Sequence, residues 1–200
     1  MRGKFVIIEG DDGAGKTTFV KYLQGLYPEF VYTREPRGKA REILLGDKGG
    51  EIDPLTRFHL FWASRAESLK KVILPALGRG EIVVSDRFDA STFAFQVGGD
   101  GERDLEELFW QTRALHMQRL EETYIFFNIP LHVSLLRMKS CSDKRNHFDE
   151  RDGDYRREVS RFYRVFFDNT VVKTHHSFDA DKPLEVMLAE ARRLFLRVIE

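Results

Sequence analysis

Apolar and polar positions divide the chain into two kinds of segment. Five short segments are apolar almost throughout and are predicted β-strands, namely residues 5–9, 30–33, 82–85, 123–128 and 171–174. None of them alternates apolar with polar residues, which indicates strands that are buried on both faces, as in a parallel sheet.

Longer segments with helical spacing separate these strands. They cover about 15–26, 38–46, 54–77, 102–121, 131–139, 153–168 and 182–198. This alternation predicts an α/β fold, in which a parallel sheet of about five strands carries helices on both faces. No repeat or linker divides the chain, so we expect a single domain over residues 1–200. Ligands of such sheets bind beyond the carboxyl ends of the strands.

The first predicted strand leads into a loop with the pattern G-x-x-x-x-G-K-[ST]. The loop consists of Gly10, Asp11, Asp12, Gly13, Ala14, Gly15, Lys16 and Thr17, and Thr18 continues into a helix. Strand, loop and helix in this order are typical of a phosphate-binding loop, whose backbone N–H groups point at phosphate oxygens. We expect Lys16 to reach the β- and γ-phosphates and the Thr17 hydroxyl to bind Mg²⁺. The loop predicts a P-loop NTPase fold, without distinguishing a kinase from a GTPase or a motor.

Charged residues follow the second and third predicted strands. After the second strand come Thr33, Arg34, Glu35, Pro36 and Arg37, with Arg41 on the next helix. The third strand runs into Asp86 and Arg87. An aspartate at the tip of a buried strand is the usual second metal partner in a phosphate-loop enzyme, and Arg87 can clamp a second phosphate. For the segment after the second strand, a solvated loop is the alternative.

One face of the helix predicted at 54–77 combines aromatic side chains with an arginine. The residues on this face are Phe58, Phe61, Trp62, Arg65, Leu69, Val72 and Ile73. Arg65 follows Phe61 by one turn, and a flat ring beside a guanidinium suits a heteroaromatic base. Periodicity alone favours the alternative, in which Phe61 belongs to the core and the Arg65 guanidinium extends to solvent.

A basic segment at about 137–151 is a solvated loop or a lid that closes over phosphates. Its basic residues are Arg137, Lys139, Lys144, Arg145, His147 and Arg151. The variable positions of the phosphate loop contain two acids and no base. Cations for the transferred phosphoryl group must therefore come from Mg²⁺, Lys16 and another part of the chain, and this favours the lid.

Composition narrows the function classes. A formal net charge of zero and a pI near 7.0 argue against a protein that wraps nucleic acid. The single cysteine, Cys141, excludes an internal disulfide and fits a reducing compartment. The apolar N-terminal run is shorter than a signal-peptide core, and no stretch has the length of a membrane span. We expect a cytoplasmic protein with no membrane or nucleic-acid partner.

Over nearly its whole length the chain resembles the thymidylate kinase family, which phosphorylates dTMP with ATP. The matching runs, in order, are 5–18, 33–36, 61–65, 86–96, Phe148 and Asp149, Tyr155, Val159, Tyr163, and Asp179 with Ala180. The run 86–96 and the pair Phe61 and Arg65 are far more specific than the phosphate loop.

The resemblance implies a role for each candidate residue. Phe61 stacks on thymine, Arg65 donates to a ring carbonyl, Thr92 and Gln96 bind the base edge, and Phe95 packs on the deoxyribose. Arg87 holds the acceptor phosphate together with Arg41 and with Arg34 or Arg37. Glu35 also belongs to the substrate site, and Asp12 lies near the acceptor sugar or its phosphate. The ATP purine lies near Asp179 and Ala180, and Mg²⁺ binds at Thr17 and Asp86. The implied assembly is a homodimer.

The implied catalytic residues are Lys16, Arg87, Asp12, Arg145 and Arg137. Family members carry an extra cation in the phosphate loop or in the lid, and this chain resembles the lid type. His147 stands where the lid arginine is usual, which leaves Arg145, Lys144 or Arg137 for the role. The stretch after Pro36 is also shorter than usual, and Phe95 lacks the hydroxyl of the tyrosine found in many members.

Three alternatives remain. The first is a kinase for another nucleoside monophosphate, because dUMP differs from dTMP by one methyl and a pocket discriminates a methyl by about 1–3 kcal/mol. The second is a GTPase-type switch, which requires an Asn-Lys-x-Asp signature that the sequence lacks. The third is a kinase-like domain that binds nucleotide without turnover.

Overall fold

A computed structural model describes residues 3–46, 49–118, 120–140 and 153–200 of the chain. Its strands are β1 (Lys4–Gly10), β2 (Val31–Arg34), β3 (Ile82–Asp86), β4 (Glu122–Asn128) and β5 (His175–Asp179). They form one parallel sheet in the order β2-β3-β1-β4-β5. The predicted five-stranded α/β fold is confirmed.

Helices connect the strands as predicted. They are α1 (Lys16–Leu26), α2 (Gly38–Leu45), α3 (Pro54–Ser68), α4 (Leu74–Gly78), α5 (Asp89–Thr92), α6 (Leu105–Met117), α7 (Leu131–Ser140), α8 (Gly153–Asp168) and α9 (Leu184–Ile199). A π-helical segment, Leu69–Ile73, joins α3 to α4, and a second one, Phe93–Gly99, extends α5. Among the described residues, no helix combines the length and the apolar character that crossing a membrane requires.

Alternate residues of the central strand enter two different cores. Val6 and Ile8 of β1 pack with residues of α1 and α9 on one face of the sheet. Phe5 and Ile7 pack on the other face with residues of α3, α6 and α8. Because both faces are covered, the inner strands are mostly apolar, and the carboxyl ends of the strands are the place left for a site.

Two elements differ from the sequence prediction. The fifth strand was predicted at 171–174, but β5 is His175–Asp179, and only Phe178 of this strand is buried. As an edge strand it pairs with β4 alone, so its residues need not be apolar. In addition, the helical stretch formed by α5 and Phe93–Gly99 was not predicted, although its residues were candidates for the site.

Candidate active site

The phosphate loop folds as its glycines predict. Gly10 and Gly15 have φ values of 144° and 90°, in the region that favours glycine. A Cβ on Gly10 would also lie 2.4 Å from the carbonyl oxygen of Phe127 in the neighbouring strand. The Lys16 ammonium is buried and donates to the Asp11 carbonyl oxygen at 2.6 Å. The backbone of the phosphate loop therefore encloses the Lys16 side chain.

The two expected metal ligands meet at the end of β3. The Thr17 hydroxyl donates to Asp86 Oδ2 at 2.7 Å. The other carboxylate oxygen, Asp86 Oδ1, is buried and has no hydrogen-bond partner among the described residues. Mg²⁺ typically takes one or two protein oxygens and completes its shell with phosphates and water. In the described part of the chain no cluster of three or more histidine, cysteine or acidic residues forms a metal cage, and this donor pair fits Mg²⁺ bound with a nucleotide.

A cavity beside the phosphate loop collects most of the predicted acceptor-binding residues. It is lined by Asp12, Thr17, Arg34, Glu35, Pro36, Arg41, Leu45, Phe61, Asp86, Arg87, Phe88, Ser91, Thr92, Phe95 and Gln96. Two of the predicted residues are exceptions: Arg65 does not line the cavity, and Arg37 lies in an adjacent groove together with Arg34 and Arg41. Of the two arginines that follow Pro36, Arg41 therefore lines the cavity and Arg37 does not.

Arg65 is fully buried beneath this cavity. Its Nε donates to Glu35 Oε2 at 2.9 Å, and its Nη2 donates to the Thr92 hydroxyl at 2.9 Å. The interpretation that periodicity alone favoured, with Arg65 extending to solvent, is therefore wrong. Phe61 is only partly buried and lines the cavity, whereas its neighbour Trp62 belongs to the core. A buried carboxylate partner makes the burial of the guanidinium possible.

Several buried polar atoms around this cavity have no partner among the described residues. They are both amide atoms of Gln96, Nη1 of Arg65 and Oε1 of Glu35. Burial raises the pKa of Glu35 to about 7, although the Arg65 guanidinium acts in the opposite direction. Unpaired buried donors and acceptors are costly, so their concentration around one cavity indicates a polar ligand that pairs with them.

Arg87 connects the cavity to the phosphate loop. Its φ of 70° is uncommon for an arginine and is typical of functional sites. Its guanidinium forms an ion pair with Asp12 and donates to the Ser91 hydroxyl at 2.9 Å and the Tyr163 hydroxyl at 3.1 Å. Burial raises the pKa of Asp12, but Arg87 and other nearby cations outweigh it and lower that pKa below its usual value.

Helix α8 contributes contacts that the sequence interpretation missed. Arg156 lies 3.4 Å from Asp12 Oδ2, and the Ser160 hydroxyl donates to Asp11 Oδ2 at 2.8 Å. The Tyr163 hydroxyl donates to Glu9 at 3.2 Å. Arg156 precedes Val159 by three residues and Tyr163 by seven, so helical periodicity places it on the apolar face of α8. This spacing was the available signal that Arg156 is buried.

Sequence analysis also missed Glu9, which is the one acidic residue of β1. It is fully buried and accepts from the backbone N–H of Phe88 at 2.7 Å, and from the Ser91 hydroxyl at 2.7 Å. Burial raises its pKa. An acid inside an otherwise apolar strand was the available signal. Glu9 ties the phosphate loop to the start of α5, which carries the cavity residues.

The remaining candidates lie on the far side of the phosphate loop. Asp179 ends β5, and the Ala180 carbonyl accepts from Arg137 Nη1 at 3.1 Å. The same nitrogen of Arg137 lies 3.4 Å from the Gly13 carbonyl oxygen, so Arg137 joins the loop after β5 to the phosphate loop. Thr18 is exposed in the first turn of α1. The lid candidates Lys144, Arg145 and His147 lie outside the described residues.

The site and the fold together define a P-loop protein that binds a nucleoside triphosphate beside a second, polar pocket. A family model described as thymidylate kinase matches residues 8–190. The thymidylate kinase of Mesoplasma florum is 36% identical over 210 residues, with 98% of this chain and 96% of the relative covered. That of Ureaplasma parvum is 33% identical, with 100% and 92% covered, and that of Nitrosomonas europaea is 41% identical, with 70% and 68% covered. The chain belongs to the thymidylate kinase family.

Proposed function

We propose that the protein transfers the γ-phosphoryl group of ATP to dTMP, giving dTDP and ADP, and so serves dTTP synthesis. The observation that carries the acceptor assignment is the buried amide of Gln96, which lines the cavity and has no hydrogen-bond partner among the described residues. It offers a donor and an acceptor to one edge of a planar base, with the Phe61 ring in the same cavity. Family membership supports the same reaction.

The reaction requires positioning and charge neutralisation more than proton transfer. A phosphate oxygen of dTMP attacks the γ-phosphorus, the bond between the γ-phosphorus and the bridging oxygen breaks, and the electron pair leaves with ADP. The acceptor is already an oxyanion, so no general base is needed. Lys16 is placed to hold the β- and γ-phosphates, while Arg87 and Arg41 are placed for the acceptor phosphate.

Mg²⁺ is the proposed cofactor, with the Thr17 hydroxyl and the Asp86 carboxylate as its protein ligands. When bound, it would neutralise developing charge on the phosphates. Arg137 and Ala180 are placed to border the purine of ATP. We further propose a cytoplasmic homodimer whose subunits are single domains, each with a lid at about 137–151. Two exposed leucines, Leu55 on α3 and Leu115 on α6, support an interface between copies.

The test is ADP release with ATP, Mg²⁺ and a panel of acceptors: dTMP, dUMP, UMP, dCMP, dGMP and AMP. We expect dTMP to be preferred, with some activity on dUMP because one methyl is worth only about 1–3 kcal/mol. UMP should be a weak acceptor, since we assign the Phe95 ring, which lines the cavity, to the side of the sugar that would carry a 2′-hydroxyl. Preference for another acceptor would support kinase activity but contradict the assignment of this cavity to dTMP.

A further inference from the structure

Two walls of the acceptor cavity come from separate parts of the chain. Phe61 lies on α3, whereas Phe95 and Gln96 lie on the π-helical segment Phe93–Gly99. These elements are not continuous in sequence, because α4 and β3 lie between them. The width of the cavity therefore depends on how α3 is held against the π-helical segment.

A buried ion pair joins α3 to the end of this segment. Arg57 Nη1 donates to Asp100 Oδ2 at 2.8 Å, and the two side chains are only 2% and 4% exposed. Arg57 Nη2 also donates to the Ile52 carbonyl oxygen at 2.9 Å, just before α3 begins. A planar guanidinium that donates to two acceptors has a defined orientation. Arg57 thus holds Asp100 at a fixed position relative to α3.

Both members of the pair are directly connected to residues that line the cavity. Arg57 precedes Phe61 by four residues, which places the two side chains one turn apart on α3. Asp100 follows the π-helical segment, and its backbone N–H donates to the Phe95 carbonyl oxygen at 2.8 Å. Arg57 and Asp100 themselves do not line the cavity. The pair therefore acts on the cavity walls through the backbone and not by touching a ligand.

Stability alone does not account for a buried ion pair at this place. Such a pair can often be replaced by uncharged side chains of similar volume without loss of folding stability. What the pair adds is geometry, because a guanidinium and a carboxylate pair well in few relative orientations. Geometry matters near a reaction, where a displacement of about 1 Å caused by a distant change can lower the rate about 100-fold.

We propose that the Arg57–Asp100 pair sets the width of the acceptor cavity and thereby its preference for a deoxyribonucleotide over a ribonucleotide. The Phe95 ring is assigned to the side of the sugar that would carry a 2′-hydroxyl, and Asp100 holds the backbone of Phe95. Without the pair, the ring can withdraw and make room for that hydroxyl. Arg57 and Asp100 are thus positioning residues. This inference rests on the proposed use of the cavity for dTMP.

The test compares two double variants. Arg57→Met with Asp100→Asn removes both charges, so no unpaired charge stays buried. Arg79→Met with Glu81→Gln is the matched control, because this pair lies at the surface after α4, with side chains 59% and 35% exposed. We expect the first variant to lower the ratio of kcat/KM for dTMP to kcat/KM for UMP about tenfold, while the KM for ATP changes by less than about twofold. The control should keep the wild-type values.

Urea unfolding shows whether the double variant folds. A folded Arg57→Met, Asp100→Asn protein with the wild-type ratio would overturn the inference. A variant in which the KM values for dTMP and ATP rise equally would overturn it too, because the effect would then be general. If the double variant does not fold, Arg57→Lys decides the question. Lysine keeps a charge that faces Asp100 but lacks the planar fork, so the ratio should fall about threefold, and an unchanged ratio would contradict the inference.

The outcomes for this inference and for the proposed function differ. If the wild type phosphorylates dTMP and the variant keeps the wild-type ratio, the inference fails and the proposed function stands. If the wild type prefers another base, the proposed function fails. The ratio is then measured with the deoxyribonucleotide and the ribonucleotide of that base, and it decides the inference. A wild type that turns over no acceptor would overturn both.

Discussion

At the scale of single residues, Gln96 is the side chain whose burial is hardest to explain without a ligand. Both of its polar atoms are buried and have no partner among the described residues. A buried amide in this state costs roughly 1–3 kcal/mol of folding free energy. Gln96 therefore lowers the stability of the fold, while its amide keeps a donor and an acceptor available for a ligand.

Gln96→Leu should therefore separate stability from function. Leucine has a similar size and leaves no polar atom unpaired, so the melting temperature should stay the same or rise. The KM for dTMP should increase about 10–100-fold, because the base edge loses its partners, while the KM for ATP stays constant. Gln111→Leu, on the exposed face of α6, is the control and should change neither KM. An equal rise of both KM values in Gln96→Leu would move Gln96 out of the acceptor pocket.

Lys16 should impose an upper pH limit on ATP use. Burial, reinforced by Arg87, lowers its pKa to about 8. The charged form therefore dominates below that pH and is lost as the pH rises through it. We expect kcat/KM for ATP, which reports the free enzyme, to fall above about pH 8. Lys16→Ala should abolish turnover. In Lys16→Arg, any residual activity should lack this decline, and a decline that persists would belong to another group.

At the scale of elements, the acceptor cavity depends on how one helix packs against another. The stretch of α5 and Phe93–Gly99 carries Thr92 and Gln96 and ends against α8. A Cβ on Gly98 would lie 2.6 Å from the Cβ and Cγ atoms of Phe162, which is buried. This close approach sets the position of the cavity wall, and it is possible only with glycine.

Gly98→Ala should destabilise the fold by about 1–3 kcal/mol, because the added methyl forces α8 and its neighbour apart. Gly25→Ala is a suitable comparison. A Cβ at Gly25, near the end of α1, would meet nothing within 4 Å, so this change should be neutral or stabilising by about 0.5 kcal/mol. Urea unfolding of both variants gives the difference. A Gly98→Ala protein as stable as wild type would show that α8 moves freely.

Sequence analysis correctly predicted the strands whose apolar sequences follow from burial on both faces of the sheet. It placed β1 to β4 within two residues and the phosphate loop without error, because apolar runs and glycines carry those signals. It misplaced β5, since an edge strand such as His175–Asp179 has no need of an apolar run. Its periodicity argument wrongly favoured a solvent-exposed Arg65, and it missed Arg156, because an arginine on an apolar face has the same pattern whether or not a buried acid pairs with it.

At the scale of the whole molecule, α3 and α6 form a paired surface. Trp62 of α3 contacts Phe109 and His116 of α6 with ring centroids 5.5 Å apart in each case. Outside this contact each helix exposes a leucine: Leu55 is 46% and Leu115 is 69% exposed. In the homodimer proposed above, we assign these exposed leucines on neighbouring helices to the surface that the second copy covers.

Under the proposed homodimer, Leu115→Glu should shift the protein from dimer to monomer in sedimentation equilibrium, because a carboxylate in an apolar interface is desolvated without a partner. Leu184→Glu provides the control. Leu184 is also exposed, at 55%, but lies on α9 on the opposite face of the sheet, so its variant should stay dimeric. If Leu115→Glu remains dimeric as well, the interface does not involve α6.

The strand register fixes the distance between residues of the site that lie on different strands. Arg34 of β2, Asp86 of β3 and Ile8 of β1 are direct neighbours across three adjacent strands. Neighbouring parallel strands lie about 4.8 Å apart, so the backbone of Arg34, a proposed ligand of the acceptor phosphate, lies roughly 10 Å from the strand that leads into the phosphate loop. The sheet thus fixes this spacing, and a bisubstrate inhibitor, in which a linker joins the two substrate moieties, has to match it. Linkers that are one phosphate too short or too long should bind one half-site at a time, with the affinity of a single substrate.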